Sequence, residues 1–310
     1  MYFKKSTLPI GVVLLLIILF PWETFSPGRF EDLFRYREYL QVGIRREETL
    51  FSSPLLFLFK EIVFQKWLFF IYDIVQDIEY SIFLISLITI FIFYIAVKRL
   101  DLDYRISILL LCPLMIDFFN SQLRNSLALS LFLLGYSCKK NLYKYLLFLA
   151  SITFHLALVL LIFIYFLLNF LTNRIKNKAL QILILVAFSF FFAFGDKLFF
   201  VLINDPRMDV YTQQNGMSII YFLWALALLC CLFILKLKKR LPDKILDLAF
   251  IGSLLVVLSY FSGAYYGRYL AMFFPFILIS IGKFSVKKPL FLTLLFYSTY
   301  TFILNFVFKI

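Results

Sequence analysis

The chain has one histidine and four cysteines among 310 residues, and only 16% of its residues are charged. A single histidine, His155, with no cysteine or carboxylate cluster around it argues against a zinc centre, so no metal is expected. Cys112, Cys138, Cys230 and Cys231 lie in or at the ends of apolar runs and form no CxxC pair. They read as small core hydrophobes, not as disulfide partners or metal ligands. Walker, GxGxxG, GxSxG and HExxH motifs are all missing. Their absence removes the common ATP-driven, dinucleotide-binding, hydrolase and zinc-protease chemistries and leaves no cofactor implied. There is also no Gly-rich linker, basic tail, low-complexity segment or internal repeat.

What the chain has in excess is apolar surface. It is 63% hydrophobic, with 42 Phe and 19 Tyr, and its mean hydropathy is +0.93. The apolar runs are continuous rather than alternating, so the reading is an all-α integral membrane protein, not a barrel. The net charge of +13 does not point to nucleic acid. The charges sit in short clusters between apolar runs, as in loops retained on the cytoplasmic side.

At roughly 20 residues per crossing, the sequence predicts a single polytopic domain over 1–310 with about eleven spans. The first is 8–22, an uncleaved helix because no small-x-small site follows it. The others are 80–97, 106–119, 123–138, 145–158, 158–172, 179–200, 217–235, 245–261, 268–283 and 289–307. Between the first two lies one long polar excursion, 23–79, with ten acids and seven bases. Within it, 30–41 predicts a charged amphipathic helix, and 54–72 predicts a helix lying at the interface.

The run 145–172 poses the sharpest question of topology. As one helix it would be about 42 Å long, against a hydrocarbon core of about 30 Å. Basic clusters flank it on both sides: Lys139, Lys140 and Lys144 before it, Arg174, Lys176 and Lys178 after it. If both clusters stay inside, the run goes out and returns as two short helices, with His155 near the outer apex. An N-inside, eleven-span arrangement then keeps 19 of the 31 Lys and Arg inside and leaves fourteen of the eighteen acids outside. Arg124, His155, Arg268 and the 23–79 loop share the outer face.

Three features carry candidate chemistry. Arg124 and Arg268 each open a helix, in QLRNSLA and AYYGRYLAMF. A guanidinium fork matches phosphate oxygens bidentately, and a helix N-terminus adds a favourable dipole, so a pyrophosphate at the membrane surface is the expected partner. Snorkelling to lipid headgroups is the plainer alternative. Asp117, Asn120, Ser121 and Arg124 would form one polar stripe if their helix were continuous. His155 can serve as a general base, donate to a phosphate, or be a hydrogen-bonded structural residue. The 23–79 loop adds carboxylates, Asp32 and Glu48 among them, together with Arg35 and Tyr36. Tyr36 and Tyr266 offer ring faces on which sugars can stack. Asp101-Leu102-Asp103 spells DxD, a metal-holding motif in some transferases, but lies between basic residues and reads as a charge-balanced turn.

On three stretches the chain resembles the EpsG-like branch of bacterial polysaccharide polymerases, relatives of the Wzy type that make O-antigen, capsule and exopolysaccharide. They are Arg124 in QLRNSLALSLFLLG, the basic turn and helix ending at His155 in KKNLYKYLLFLASITFH, and the acid- and tyrosine-bearing EDLFRYREYL of the long loop. The chain departs from that pattern at Asn125, where Gln often follows the arginine, and at Leu156, where a small residue or Pro is common. The resemblance implies a GT-C-like, metal-independent glycosyltransferase on the outer face of the bacterial plasma (inner) membrane. It would polymerise undecaprenyl-pyrophosphate-linked oligosaccharide repeat units, in company with a flippase and a chain-length regulator. The expected catalytic residues are His155, Asp32 and Glu48; the expected substrate-binding residues are Arg124, Arg268, Arg35, Tyr36 and Tyr266. The competing expectations are a flippase or exporter of lipid-linked sugars, and a membrane O-acyltransferase.

Overall fold

The structure, a computed structural model, describes residues 7–26, 30–42, 62–203, 219–238, 243–262, 266–283 and 288–307. Every regular element among them is helical. Hydrocarbon offers backbone groups no partner, so apolar runs of this length satisfy their N–H and C=O groups within the segment. Among the described residues, four stretches are long and apolar enough to cross a membrane: Ile78–Arg99, Lys178–Gly195, Ile219–Lys238 and Lys244–Ser262. Leu8–Leu19, Leu158–Arg174 and Tyr269–Lys283 are shorter apolar helices. This is the build of a multi-pass membrane protein.

The described chain forms two compact units, Met1–Ile162 with Ser298–Ile310, and Phe163–Tyr297. The first begins with α1 (Leu8–Leu19), a short α2 (Trp22–Phe25), α3 (Glu31–Val42), α4 (Ile62–Val75) and α5 (Ile78–Arg99). The amphipathic helix expected at 30–41 is α3; the interfacial one expected at 54–72 is described only from Ile62. At 22 residues α5 is about 33 Å long, a match to the bilayer core. Asp77 caps its start by accepting the Tyr80 N–H at 2.9 Å, and Lys98 and Arg99 stand in its last turn, where they complement the helix dipole.

The expected span 106–119 is not one helix. A 3-10 turn and α6 (Ser107–Leu110) end before Cys112, and α7 (Pro113–Asn120) begins with proline in its first turn. Cys112 is extended, with ψ 136°, as the residue before a proline must be. Next come α8 (Leu123–Ser137) and α9 (Asn141–Phe154). They pack as an antiparallel pair, with Phe132 stacked on Phe148 at 4.7 Å. Gly135 permits this approach, since a Cβ there would stand 3.0 Å from that of Leu147. Within the unit α8 rests on α5 and α9 on α4, and Asn120 ties α7 to α1 by donating to the Ile17 carbonyl at 3.0 Å.

The long 145–172 run does break. His155 takes an extended conformation (φ −151°, ψ 110°) that ends α9, and α10 (Leu158–Arg174) starts three residues later.

The second unit holds most of α10, α11 (Lys178–Ile203), α12 (Ile219–Lys238), α13 (Lys244–Ser262), α14 (Tyr266–Lys283) and the start of α15 (Lys288–Phe302). Its centre is α13, buried along most of its length and packed on α11, α12 and α14. Gly252 is what lets α14 come so close: a Cβ at that position would lie 2.1 Å from the Phe273 Cβ. At one end of the unit Lys236 pairs with Asp247, Lys244 donates to Asn169, and Lys283 meets Asp243 at 2.6 Å.

Candidate functional site at one end of the first unit

Arg124 is the second residue of α8, and His155 follows the last residue of α9. Because the two helices are antiparallel, both lie at the same end of the pair. The register agrees: the helix runs about 12 Å from Phe132 back to Arg124, and about 10 Å from Phe148 on to His155. Sequence separation is large, yet the fold brings them to one level.

The amphipathic α3 meets the bundle at this end. Arg124 donates from Nε to the Tyr36 hydroxyl at 3.2 Å, and its guanidinium lies 5.9 Å from the centre of that ring. Tyr36 is buried and packs on Phe64 of α4 at 5.5 Å. Further along α4, Trp67 meets Phe154 edge-on at 5.8 Å, which carries the contact to the residue before His155. His155 itself is half-buried, and its backbone N–H donates to the Ser151 carbonyl at 3.1 Å.

The next residue on α3 anchors the helix. Arg37 donates to both carboxylate oxygens of Glu23, at 2.5 and 2.8 Å, and to both of Glu79, at 2.6 and 2.8 Å. The hydrogen bonds to Glu23 and then to Glu79 raise the pKa of the guanidinium, outweighing the opposing effect of burial. Glu23 stands in α2 and Glu79 in the first turn of α5, so one side chain fastens three elements. From sequence Arg35 and Arg37 are equivalent arginines of the same charged helix, and the expected site takes Arg35. The only available signal was a carboxylate at the mouth of each neighbouring apolar run.

Arg35 and Asp32 pair with each other at 3.2 Å on the exposed side of α3, with Glu31 at 3.9 Å. Glu48 lies outside the described residues. Tyr266 opens α14 in the second unit, where its ring is 6.2 Å from that of Tyr221. Arg268 stands in the first turn of the same helix, and its side chain is outside the described residues. Arg124, Tyr36 and His155 are thus gathered at one end of the first unit, and Arg268 and Tyr266 belong to the second.

The polar stripe through Asp117 and Arg124 is broken by the Ser121–Gln122 turn between α7 and α8. Asp117 instead accepts from the Gln122 side chain at 2.7 Å, and its carbonyl accepts the N–H groups of Ser121 and Gln122. The DxD segment is a turn: Asp103 accepts the Arg105 N–H at 3.0 Å, and Asp101 has a φ of 52°.

The described helices define a multi-pass helical membrane protein in which Arg124, braced by Tyr36, and His155 lie at one end of the α8–α9 pair. The particular family follows from the sequence: residues 7–310 match the EpsG family, and the chain belongs to it. Membership ties the chain to exopolysaccharide biosynthesis. No curated protein and no solved structure matches it.

Proposed function

We propose that the chain is the polymerase of its pathway. It transfers an oligosaccharide from an undecaprenyl-pyrophosphate carrier to the terminal sugar of another lipid-linked repeat, on the outer face of a bacterial plasma membrane. The observation that carries this reading is the meeting of Arg124 with Tyr36, level with His155 at the end of the α8–α9 pair. In the reaction the acceptor hydroxyl attacks the anomeric carbon, and the bond from that carbon to the pyrophosphate oxygen breaks. The hydroxyl proton passes to His155, and the charge developing on the leaving pyrophosphate falls to Arg124.

Tyr36 holds the guanidinium in place, because a side chain locked by a second contact loses less freedom when it binds. In the second unit, Arg268 in the first turn of α14 is a further candidate for binding phosphate, and the Tyr266 ring offers a face on which a sugar can stack. Asp32 and Glu48 are the remaining candidates to orient the acceptor. The topology that suits this chemistry is the eleven-span, N-inside arrangement, with α3 and the Arg124 end outside. The proposal includes a flippase that delivers the substrate and a partner that limits chain length. A flippase role for this chain itself would need cationic groups open to the lipid-linked sugar from both faces. The basic groups Lys236, Lys244 and Lys283 of the second unit are engaged by Asp247, Asn169 and Asp243.

Gene deletion followed by complementation in the native host tests the reading. Wild type should restore polymer. Arg124→Lys keeps the charge without the fork and should lower polymer yield about tenfold or more. His155→Gln, which donates but takes no proton at neutral pH, should lose about a hundredfold. Full polymer from a well-expressed His155→Ala protein would remove the histidine from the reaction.

A further inference from the structure

The turn that positions Arg124 contains a chain of side chains whose direction is set by a charge. Asp117, as a carboxylate, can only accept, so the Gln122 group facing it at 2.7 Å is the amide nitrogen. This turns the Gln122 oxygen toward Asn125, which donates to it from Nδ2 at 3.3 Å. The remaining atom, Asn125 Oδ1, therefore points onward as an acceptor. It is enclosed and has no hydrogen-bond donor among the described residues. Nearby, Asn120 donates to the Ile116 and Ile17 carbonyls, and the Ser126 hydroxyl to the Leu123 carbonyl, so neither supplies the donor. An enclosed acceptor left without a donor is costly, and such a group calls for an explanation.

We propose that Asn125 Oδ1 is a carbohydrate subsite. It accepts a sugar hydroxyl one residue along α8 from Arg124, and Asp117, acting through Gln122, is the positioning residue that sets which way the oxygen faces. A hydroxyl suits this place because it donates one hydrogen bond without bringing charge against the Asp117 carboxylate. The combination reads a glycosyl pyrophosphate, with the pyrophosphate on Arg124 and a hydroxyl of the attached sugar on Asn125. Because the oxygen is enclosed, a carbohydrate reaches it only by displacing a neighbouring side chain. The subsite rests on the lipid-linked-sugar reading above but not on the catalytic role of His155.

The test measures affinity of the full-length chain in nanodiscs for two probes. One is undecaprenyl pyrophosphate; the other is the lipid-linked oligosaccharide extracted from cells in which the gene is deleted. Wild type should bind the glycosylated probe more tightly. Asn125→Leu, which is nearly isosteric, should lose about five- to tenfold in affinity for the glycosylated probe and nothing for undecaprenyl pyrophosphate. Gln122→Leu unties Asn125 from Asp117 and should show a smaller loss with the same selectivity. Arg124→Lys should weaken both probes. Equal affinity of wild type and Asn125→Leu for the glycosylated probe overturns the subsite. Parallel loss on both probes with a lowered melting temperature also overturns it, because that marks a structural amide. If wild type binds neither probe, the lipid-linked-sugar reading falls, and the subsite with it.

Discussion

Arg124 and His155 stand out in the sequence because each is an isolated polar group in an apolar background, where an ionisable residue needs a reason. Tyr36 and Arg37 do not stand out, since α3 is crowded with charges and any of them can serve as solvated surface. Choosing Arg37 over Arg35 required knowing that Glu23 and Glu79 converge on it from two other helices. The division of labour between these neighbours can be tested. Tyr36→Phe keeps the ring on Phe64 but removes the acceptor for Arg124. Activity should fall about three- to tenfold with the melting temperature unchanged. Arg37→Ala leaves two carboxylates facing each other and releases α3, so stability should drop by on the order of 1 kcal/mol, with activity reduced as well. The raised pKa of Arg37 places its contribution wholly below the ordinary arginine value, and the contribution is lost only as pH rises past that range. The melting-temperature difference between wild type and Arg37→Ala should therefore hold steady from neutral to mildly alkaline pH. A difference that vanished in that interval would contradict the clamp.

At the scale of elements, apolar run length was enough to locate most helices, because hydrocarbon forces each run to close its own hydrogen bonds. The breaks were harder. Proline at 113 predicts the extended Cys112 that divides the expected 106–119 span, but the apolar letters on both sides conceal it. The break at His155 follows from the length of its run and its two basic flanks, not from any local breaker residue. Close helix approach was not legible at all, because a glycine in a helix looks the same whether it faces lipid or a neighbour. Two glycines make a contrast. Gly252→Ala puts a methyl on Phe273 and should destabilise the second unit by about 1–3 kcal/mol or more. Gly195→Ala meets nothing within 4 Å and should be neutral or stabilising by up to about 1 kcal/mol, through helix propensity alone. Thermal unfolding in detergent of the two single variants checks this. Equal melting temperatures would mean that α13 and α14 are not packed on Gly252.

For the whole molecule, family membership over residues 7–310 accounts for the polysaccharide context. The sidedness of the helices rests on the distribution of basic residues. Single cysteines placed at Phe30 and Thr212 should react with a membrane-impermeant maleimide added outside intact cells. Cysteines at Asn141, Lys176 and Lys238 should react only after permeabilisation. Labelling of position 176 from outside would undo the return of the chain after His155 and invert every later helix. The most direct measurement of the central claim uses purified chain in liposomes with extracted lipid-linked repeat units and no other protein. Wild type is expected to produce a ladder of longer oligosaccharides, releasing one undecaprenyl pyrophosphate for each linkage formed, and Arg124→Lys to produce little of either. A ladder from Arg124→Lys equal to that of wild type, or no elongation by correctly folded wild type, would contradict the account.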